Sequence, residues 1–120
     1  MVAMPPSILI VDDHPSFRAT ARALLQAEGY TIVGEAVDGA SALVAARELK
    51  PEVVLLDVQL PDTDGFAVAA ELTSAQGAPA VVLTSSRDAS DFGPLVAESG
   101  ARGFVPKAEL SGDTLSKALE

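Results

Sequence analysis

The sequence predicts an α/β fold of the doubly wound kind: five parallel strands in the order 2-1-3-4-5, with helices on both faces in a three-layer sandwich. Three observations carry this. Short apolar runs alternate with helical periodicity five times along the chain, the pattern of repeated βα units. The run Val53 to Leu56 is continuously apolar, as in a central parallel strand covered on both faces. Two such runs, ILIVDD (Ile8 to Asp13) and VVLLD (Val53 to Asp57), end in carboxylate, which packing preference alone does not produce. Right-handed crossovers leave few topologies. In the open order the first and third strands are neighbours at the point where the winding reverses, and ligands bind beyond the carboxyl ends of the strands there.

Each element has a local reason. Ser7 to Val11 reads as the first strand. Pro15 to Glu28 reads as a helix, with Pro15 suited to its first turn, Phe17, Ala21, Leu24 and Leu25 on one face, and Gly29 ending it. Thr31 to Ala36 alternates only in part, as an edge strand would. Asp38 can cap a helix over Gly39 to Leu49, with Ala42, Ala45, Ala46 and Leu49 inward, and Pro51 stops it. After Val53 to Leu56, a loop from Val58 to Asp64 leads to a third helix, Phe66 to Ala75. Ala80 to Thr84 and Gly103 to Val105 are the fourth and fifth strands, and the last helix spans Asp113 to Leu119. Between the last two strands, SRDASDFGP (Ser86 to Pro94) is polar and irregular. Proline inside a helix costs ~3 kcal/mol, so the fourth helix is expected to start near Pro94 and end before Gly100.

Composition narrows the function. The chain has 120 residues, is 48% hydrophobic and only 4% aromatic, so one domain with an aliphatic core is expected. Its 8 basic and 17 acidic residues give a net charge of −9. That disfavours direct nucleic-acid binding and an anionic membrane surface. There is no cysteine, hence no disulfide or thiolate metal site. No apolar stretch approaches the roughly 18 residues of a spanning helix, and MVAMPPS lacks the basic and apolar regions of a signal peptide.

The acidic strand ends carry the chemistry. If the first and third strands are adjacent, Asp12, Asp13 and Asp57 meet at one sheet edge. Like charges ~4 Å apart repel by ~4 kcal/mol at an effective dielectric of ~20, and a divalent cation offsets that repulsion. Three further signals follow in order: Pro61 and Gly65 in DVQLPDTDG, Thr84 in VVLTSS, and Lys107 in GARGFVPK. Each lies at or just past a predicted strand end.

With these residues the whole chain resembles the receiver domain of bacterial two-component response regulators, a flavodoxin-like fold. The resemblance implies a single receiver domain over residues 1–120, with Asp57 as phosphoryl acceptor and Mg2+ as cofactor. It implies metal ligation by Asp13, Asp57 and the backbone carbonyl of Gln59, with Asp12 acting through water. Lys107 would neutralise the phosphoryl oxygens, Thr84 would supply a switch hydroxyl, and Phe104 would take the aromatic switch position. Gln59 and Ser86 lie where the family tunes attack by water. Gly65 is expected to support the tight entry into the third helix. Ala108 stands where most of the family places proline. His14 reads as a marker of the subfamily fused to helix-turn-helix DNA-binding domains, since DDHP is frequent there, and not as a ligand.

The implied partners are a sensor histidine kinase or a phosphotransfer protein and a downstream protein, in the cytoplasm, with a phosphorylation-dependent homodimer as a further expectation. The receiver would promote only its own phosphorylation and dephosphorylation. A haloacid-dehalogenase-like phosphatase also uses aspartate and magnesium, but needs D-x-D directly after its first strand; Asp57-Val58-Gln59 fails, and Asp62-Thr63-Asp64 does not directly follow a strand. A calcium loop at DTDG lacks its downstream acid. No G-x-G-x-x-G follows the first strand, against a dinucleotide site. A phosphate-independent pseudo-receiver is disfavoured by the intact Asp12, Asp13, Asp57, Thr84 and Lys107.

Overall fold

Alternating side-chain direction along the strands divides the apolar residues between two cores. The computed structural model describes residues 6–120. The strands are β1 (Ser7–Val11), β2 (Thr31–Ala36), β3 (Val53–Asp57), β4 (Ala80–Ser85) and β5 (Gly103–Pro106). They form one parallel sheet in the order β2-β1-β3-β4-β5, as expected. Ile8, Ile10, Val53, Leu55, Val82 and Val105 face one way and pack under α1 (Pro15–Ala27) and α5 (Gly112–Leu119). Leu9, Val11, Val54, Leu56, Val81 and Leu83 face the other way, under α2 (Gly39–Leu49) and α3 (Gly65–Thr73). Every residue of β3 is buried, so the strand ending in Asp57 is covered on both faces.

Helix ends follow local chemistry. Proline at the start of α1 falls where expected, and α1 ends at Ala27, before Gly29 at φ 96°. Asp38 caps α2, its carboxylate accepting from Ser41 N at 2.8 Å while the Ser41 hydroxyl accepts from Asp38 N at 3.3 Å. Lys50 closes α2 in the left-handed region, φ 48°; Pro51 disfavours a further helical residue before it. The third helix is shifted and shorter than the expected Phe66 to Ala75. Asp64 caps it by accepting from Ala67 N at 2.8 Å, drawing Gly65 into the first turn. At its other end the Thr73 and Ser74 hydroxyls donate to the Ala69 and Glu71 carbonyls, both at 2.8 Å, local bonds that compete with continuation.

The stretch between β4 and β5 carries the main departure from expectation. A 3-10 turn forms at Ala89–Phe92, followed by Gly93 at φ 58°; the short helix after it, α4 (Leu95–Glu98), lies where expected, between Pro94 and Gly100. Nothing in the polar run SRDASDFGP pointed to that turn. It is held from the side by Phe92, whose ring centroid lies 5.4 Å from Phe66 and 5.9 Å from Phe104. Strands β3, β4 and β5 and helices α1 and α5 each differ by one residue at an end from the sequence expectation. The expectation of no signal peptide falls largely on residues 1–5, outside the described residues. No helix among the described residues is long and apolar enough to cross a membrane.

Leu55 is fully buried in the middle of the sheet, whereas Val44 is half exposed on α2. Leu55→Ala is expected to lower unfolding free energy by about 3 kcal/mol and Val44→Ala by less than about 0.5 kcal/mol, read by urea denaturation.

Candidate functional site

Parallel pairing of β1 with β3 brings their acidic ends together: Val11 sits beside Leu56 in register, so the next residues, Asp12 and Asp57, emerge side by side. Asp57 in turn pairs with Thr84 on β4, and Thr84 with Val105 on β5. Two residues past Val105, Lys107 opens a 3-10 turn, Lys107–Glu109, that leads its side chain back over the sheet edge. Asp12 is fully buried and Asp57 is 3% exposed; Asp13 stands open to solvent.

Lys107 joins the two buried acids. Its Nζ lies 2.6 Å from Asp12 Oδ2 and 3.3 Å from Asp57 Oδ2. The closer contact is to Asp12. The same ammonium sits 4.5 Å from the Phe17 ring centroid, so an aromatic face backs the charge. Asp57 Oδ1 accepts from Gln59 N at 3.3 Å. Asp12 Oδ1 accepts from His14 N at 2.8 Å and lies 2.8 Å from His14 Nδ1. That ring nitrogen is also 3.2 Å from Asp13 Oδ1. His14, which the sequence marks as no ligand, is therefore drawn into the acidic cluster, and only the local turn at the start of α1 decides this.

The two buried carboxyls titrate in opposite directions. At Asp12, burial works against ionisation, but the Lys107 ammonium and the N–H and ring of His14 outweigh it and hold the carboxyl below its ordinary range. At Asp57, burial and the negative charge of Asp12 push the carboxyl up, and Lys107 and the Gln59 N–H offset this only in part. Lys107 is nearer Asp12, His14 adds its bonds only there, and Asp57 feels the Asp12 charge.

The residues fit a hard divalent cation. One ligand atom from each of Asp12, Asp13, His14 and Asp57 can be chosen so that all lie within 4.8 Å of one another. Asp12 Oδ2 is buried and has only the close ion contact with Lys107, with no hydrogen bond of good geometry. Carboxylate oxygens with solvent on one side suit Mg2+, which keeps several of its waters.

The loop after Asp57 is held from three directions. Gly65 packs so closely that a Cβ there would collide with the carbonyl oxygen of Asp57 and with Val58, which makes glycine necessary at this position and bears out its expected supporting place. Gln59 and Asp64 form an antiparallel bridge. The Asp62 carboxylate accepts from Gly39 N at 2.8 Å and Ala40 N at 3.0 Å, pinning the loop to the start of α2. These N–H groups hold the Asp62 carboxyl below its ordinary range. The acid considered for a calcium loop is thus engaged in a helix cap.

Thr84 is fully buried, and its hydroxyl donates to the Val105 carbonyl at 2.7 Å. Phe104 is partly buried against Phe92 and the α3 side of the core. Ser86 is exposed, two residues past Thr84.

A raised Asp57 carboxyl means that the folded chain binds this proton more readily than the unfolded chain does. Ionised Asp57 therefore weakens folding at neutral pH, and the penalty fades as pH falls through its folded-state value. Asp57→Asn is expected to raise the urea midpoint at neutral pH without divalent cation, with the gain shrinking on acidification. A lower midpoint for the variant at neutral pH would contradict this account.

Comparison with known proteins places this site in a family. The model of the response regulator receiver domain matches residues 8–120. The DNA-binding response regulator MtrA of Mycolicibacterium smegmatis is 41% identical over 109 residues, 89% of this chain and 46% of that protein. BvgA of Bordetella pertussis, a putative positive transcription regulator of virulence factors, is 37% identical over 111 residues, 92% of this chain and 53% of that protein. The chain spans about half the length of the curated relatives it matches. Among solved structures, the signal receiver domain of NarL from Mycobacterium tuberculosis aligns with TM-score 0.82 at 36% identity, covering 94% of this chain and 95% of that one. A LuxR-family response regulator from Aurantimonas aligns with TM-score 0.83 at 30% identity, covering 94% of this chain and 84% of that one. With its carboxylates, lysine and buried threonine gathered at the ends of β1, β3, β4 and β5, this chain belongs to the receiver domains of two-component response regulators.

Proposed function

We propose that the chain takes a phosphoryl group onto Asp57 from the phosphohistidine of a sensor histidine kinase or phosphotransfer protein, in the cytoplasm. The observation that carries this reading is the shared ammonium: Lys107 Nζ spans Asp12 and Asp57 at the sheet edge where the buried carboxylates meet. In the transfer, an Asp57 carboxylate oxygen attacks phosphorus and the P–N bond to the donor imidazole breaks. The electron pair returns to the ring, and the aspartate becomes an acyl phosphate. A bound Mg2+ supplies charge neutralisation between the carboxylates and the incoming phosphoryl oxygens. Asp13, Asp57 and the Gln59 carbonyl are the proposed ligands, with Asp12 one water removed.

The remaining roles belong to this chain's own side chains. Lys107 leaves its contact with Asp57 for a phosphoryl oxygen, keeping Asp12 as its anchor. Thr84 must give up its bond to Val105 before it can donate to the phosphoryl group. That exchange replaces a neutral hydrogen bond, worth about 0.5–1.5 kcal/mol net, by one to a charged group, worth about 1.5–3 kcal/mol. Complete reversal of a two-state surface from 1:99 to 99:1 requires about 5.5 kcal/mol. Thr84 and Lys107 together supply part of it, so phosphorylation shifts an ensemble. Phe104 is the aromatic that would respond on β5. Gln59 and Ser86, each two residues past a strand-end site residue (Asp57 and Thr84), govern access of hydrolytic water and so the phosphate lifetime.

The output we infer is contact with a downstream protein or a second copy of the chain, with phosphorylation changing the surface around α4, β5 and α5. The net charge of −9 argues against DNA contact by this domain itself. The reaction is a single stoichiometric self-modification followed by slow hydrolysis, not turnover of an external phosphate ester.

Incubation with acetyl phosphate and Mg2+, read by intact mass, is expected to give one phosphate adduct that Asp57→Asn abolishes. Lys107→Met is expected to slow the reaction by about 100-fold at saturating Mg2+. An unchanged mass in folded wild type would point instead to a phosphate-independent interaction module.

A further inference from the structure

We infer that Arg18, on α1, is a positioning residue for the divalent-cation site, acting through the backbone of Asp12 with Glu35 as its anchor; this rests on the receiver reading above. Arg18 Nη1 donates to the Asp12 carbonyl at 2.7 Å, and its Nε donates to Glu35 Oε1 at 2.9 Å. The guanidinium is thus fixed at two donors, in the planar fork geometry that lysine lacks. Arg22, one helical turn on, donates its Nε to the other Glu35 oxygen at 2.6 Å. Two arginines of α1 therefore clamp one carboxylate of β2. Lys107 and Arg18 flank the acidic cluster with positive charge. The two arginines hold the Glu35 carboxyl below its ordinary range, so the anchor stays ionised.

The consequence for the site is geometric. The Asp12 carbonyl belongs to the same rigid peptide plane as the nitrogen and Cα of Asp13. Holding that oxygen fixes how Asp13 leaves the end of β1. Asp13 has few restraints of its own: its side chain is 37% exposed and lies against His14 Nδ1 at 3.2 Å. Asp12 N donates to the Ala36 carbonyl at 3.0 Å, next to Glu35 on β2. Both polar groups of the Asp12 backbone are therefore tied to one assembly of α1 and the end of β2. Without Arg18 the carbonyl is free to turn, the Asp12–Asp13 peptide rotates with it, and the Asp13 carboxylate samples directions that miss the cation.

The sign of the effect separates positioning from simple charge. Arg18 brings a positive charge close to a cation site. By electrostatics alone, removing it would tighten Mg2+ binding. By positioning, removing it weakens binding although a repulsive charge has gone. The test is Mg2+ titration of unphosphorylated protein by isothermal calorimetry, for wild type, Arg18→Met, Arg18→Lys and Glu35→Gln, with thermal unfolding run alongside. Arg18→Met is expected to weaken Mg2+ binding about tenfold, as loss of a supporting partner does at other metal sites. Glu35→Gln, which leaves Arg18 in place but loosens its anchor, is expected to give a smaller loss in the same direction, and Arg18→Lys a partial recovery. Phosphorylation by acetyl phosphate should then slow at limiting Mg2+ and recover at saturating Mg2+. Unchanged or tighter binding in folded Arg18→Met overturns the proposal, as does a fall in melting temperature with no change in Mg2+ affinity. If Arg18→Met does not fold, unchanged affinity in Glu35→Gln overturns it. Wild type that binds no Mg2+ and takes no phosphate would instead remove the receiver reading itself.

Discussion

Asp12 and Asp57 sit side by side out of water, and one ammonium, that of Lys107, lies against both. Much of the rest of the molecule exists to make that contact. Two like charges at this depth repel by several kcal/mol, on the order of the ~4 kcal/mol expected at ~4 Å and moderate dielectric. One cation cannot satisfy both equally, so Asp12 is held in its ionised form and Asp57 is pushed toward protonation. The frustrated member of the pair is the one nearer the loop that frames the site. The carboxylates of Asp12, Asp13 and Asp57 outnumber that one ammonium, so the sheet edge keeps a residual negative potential of the kind a divalent cation offsets.

The scaffold around this contact is tied closely where the carboxylates are and loosely between β4 and β5. Gly65 lies against the Asp57 carbonyl, Asp62 pins the following loop to α2, and Arg18 ties the Asp12 carbonyl to β2 through Glu35. Each is a polar or steric tie from a different helix. The segment between β4 and β5 is built differently. Its 3-10 turn and four-residue helix have no fully buried apolar residue, and its main hold is the Phe92 ring between Phe66 and Phe104. Segments with few buried contacts open at low free-energy cost.

Much of this was legible in the residues. The apolar run of β3, buried at every position, read as a central strand because both faces need apolar cover. Asp12, Asp13, Asp57, Thr84 and Lys107 stood out because strand ends carrying acid, hydroxyl or amine are not explained by packing. The third helix was misplaced because Asp64 captures a backbone N–H three residues on, while Thr73 and Ser74 bond backward; both are competitions between hydrogen bonds that composition does not rank. The turn at Ala89–Phe92 was missed because its anchor, the ring of Phe92, finds its partners 26 and 12 residues away in sequence, on α3 and β5.

By itself, the sequence determined the alternation of strands and helices, a parallel sheet covered on both faces and the set of charged groups at the sheet edge, because periodicity and strand-end chemistry are local and repeat along the chain; the strand order followed from the fold class that this pattern implies. Tertiary structure alone decided how those charges are shared. That Lys107 favours Asp12 over Asp57, that His14 joins the acids, that Thr84 is already bonded to Val105, and that Arg18 reaches the Asp12 carbonyl are outcomes of distances within an ångström or so of contact between residues brought together by the fold. Electrostatic and hydrogen-bond energies vary steeply over that range, and no local pattern in the chain encodes it.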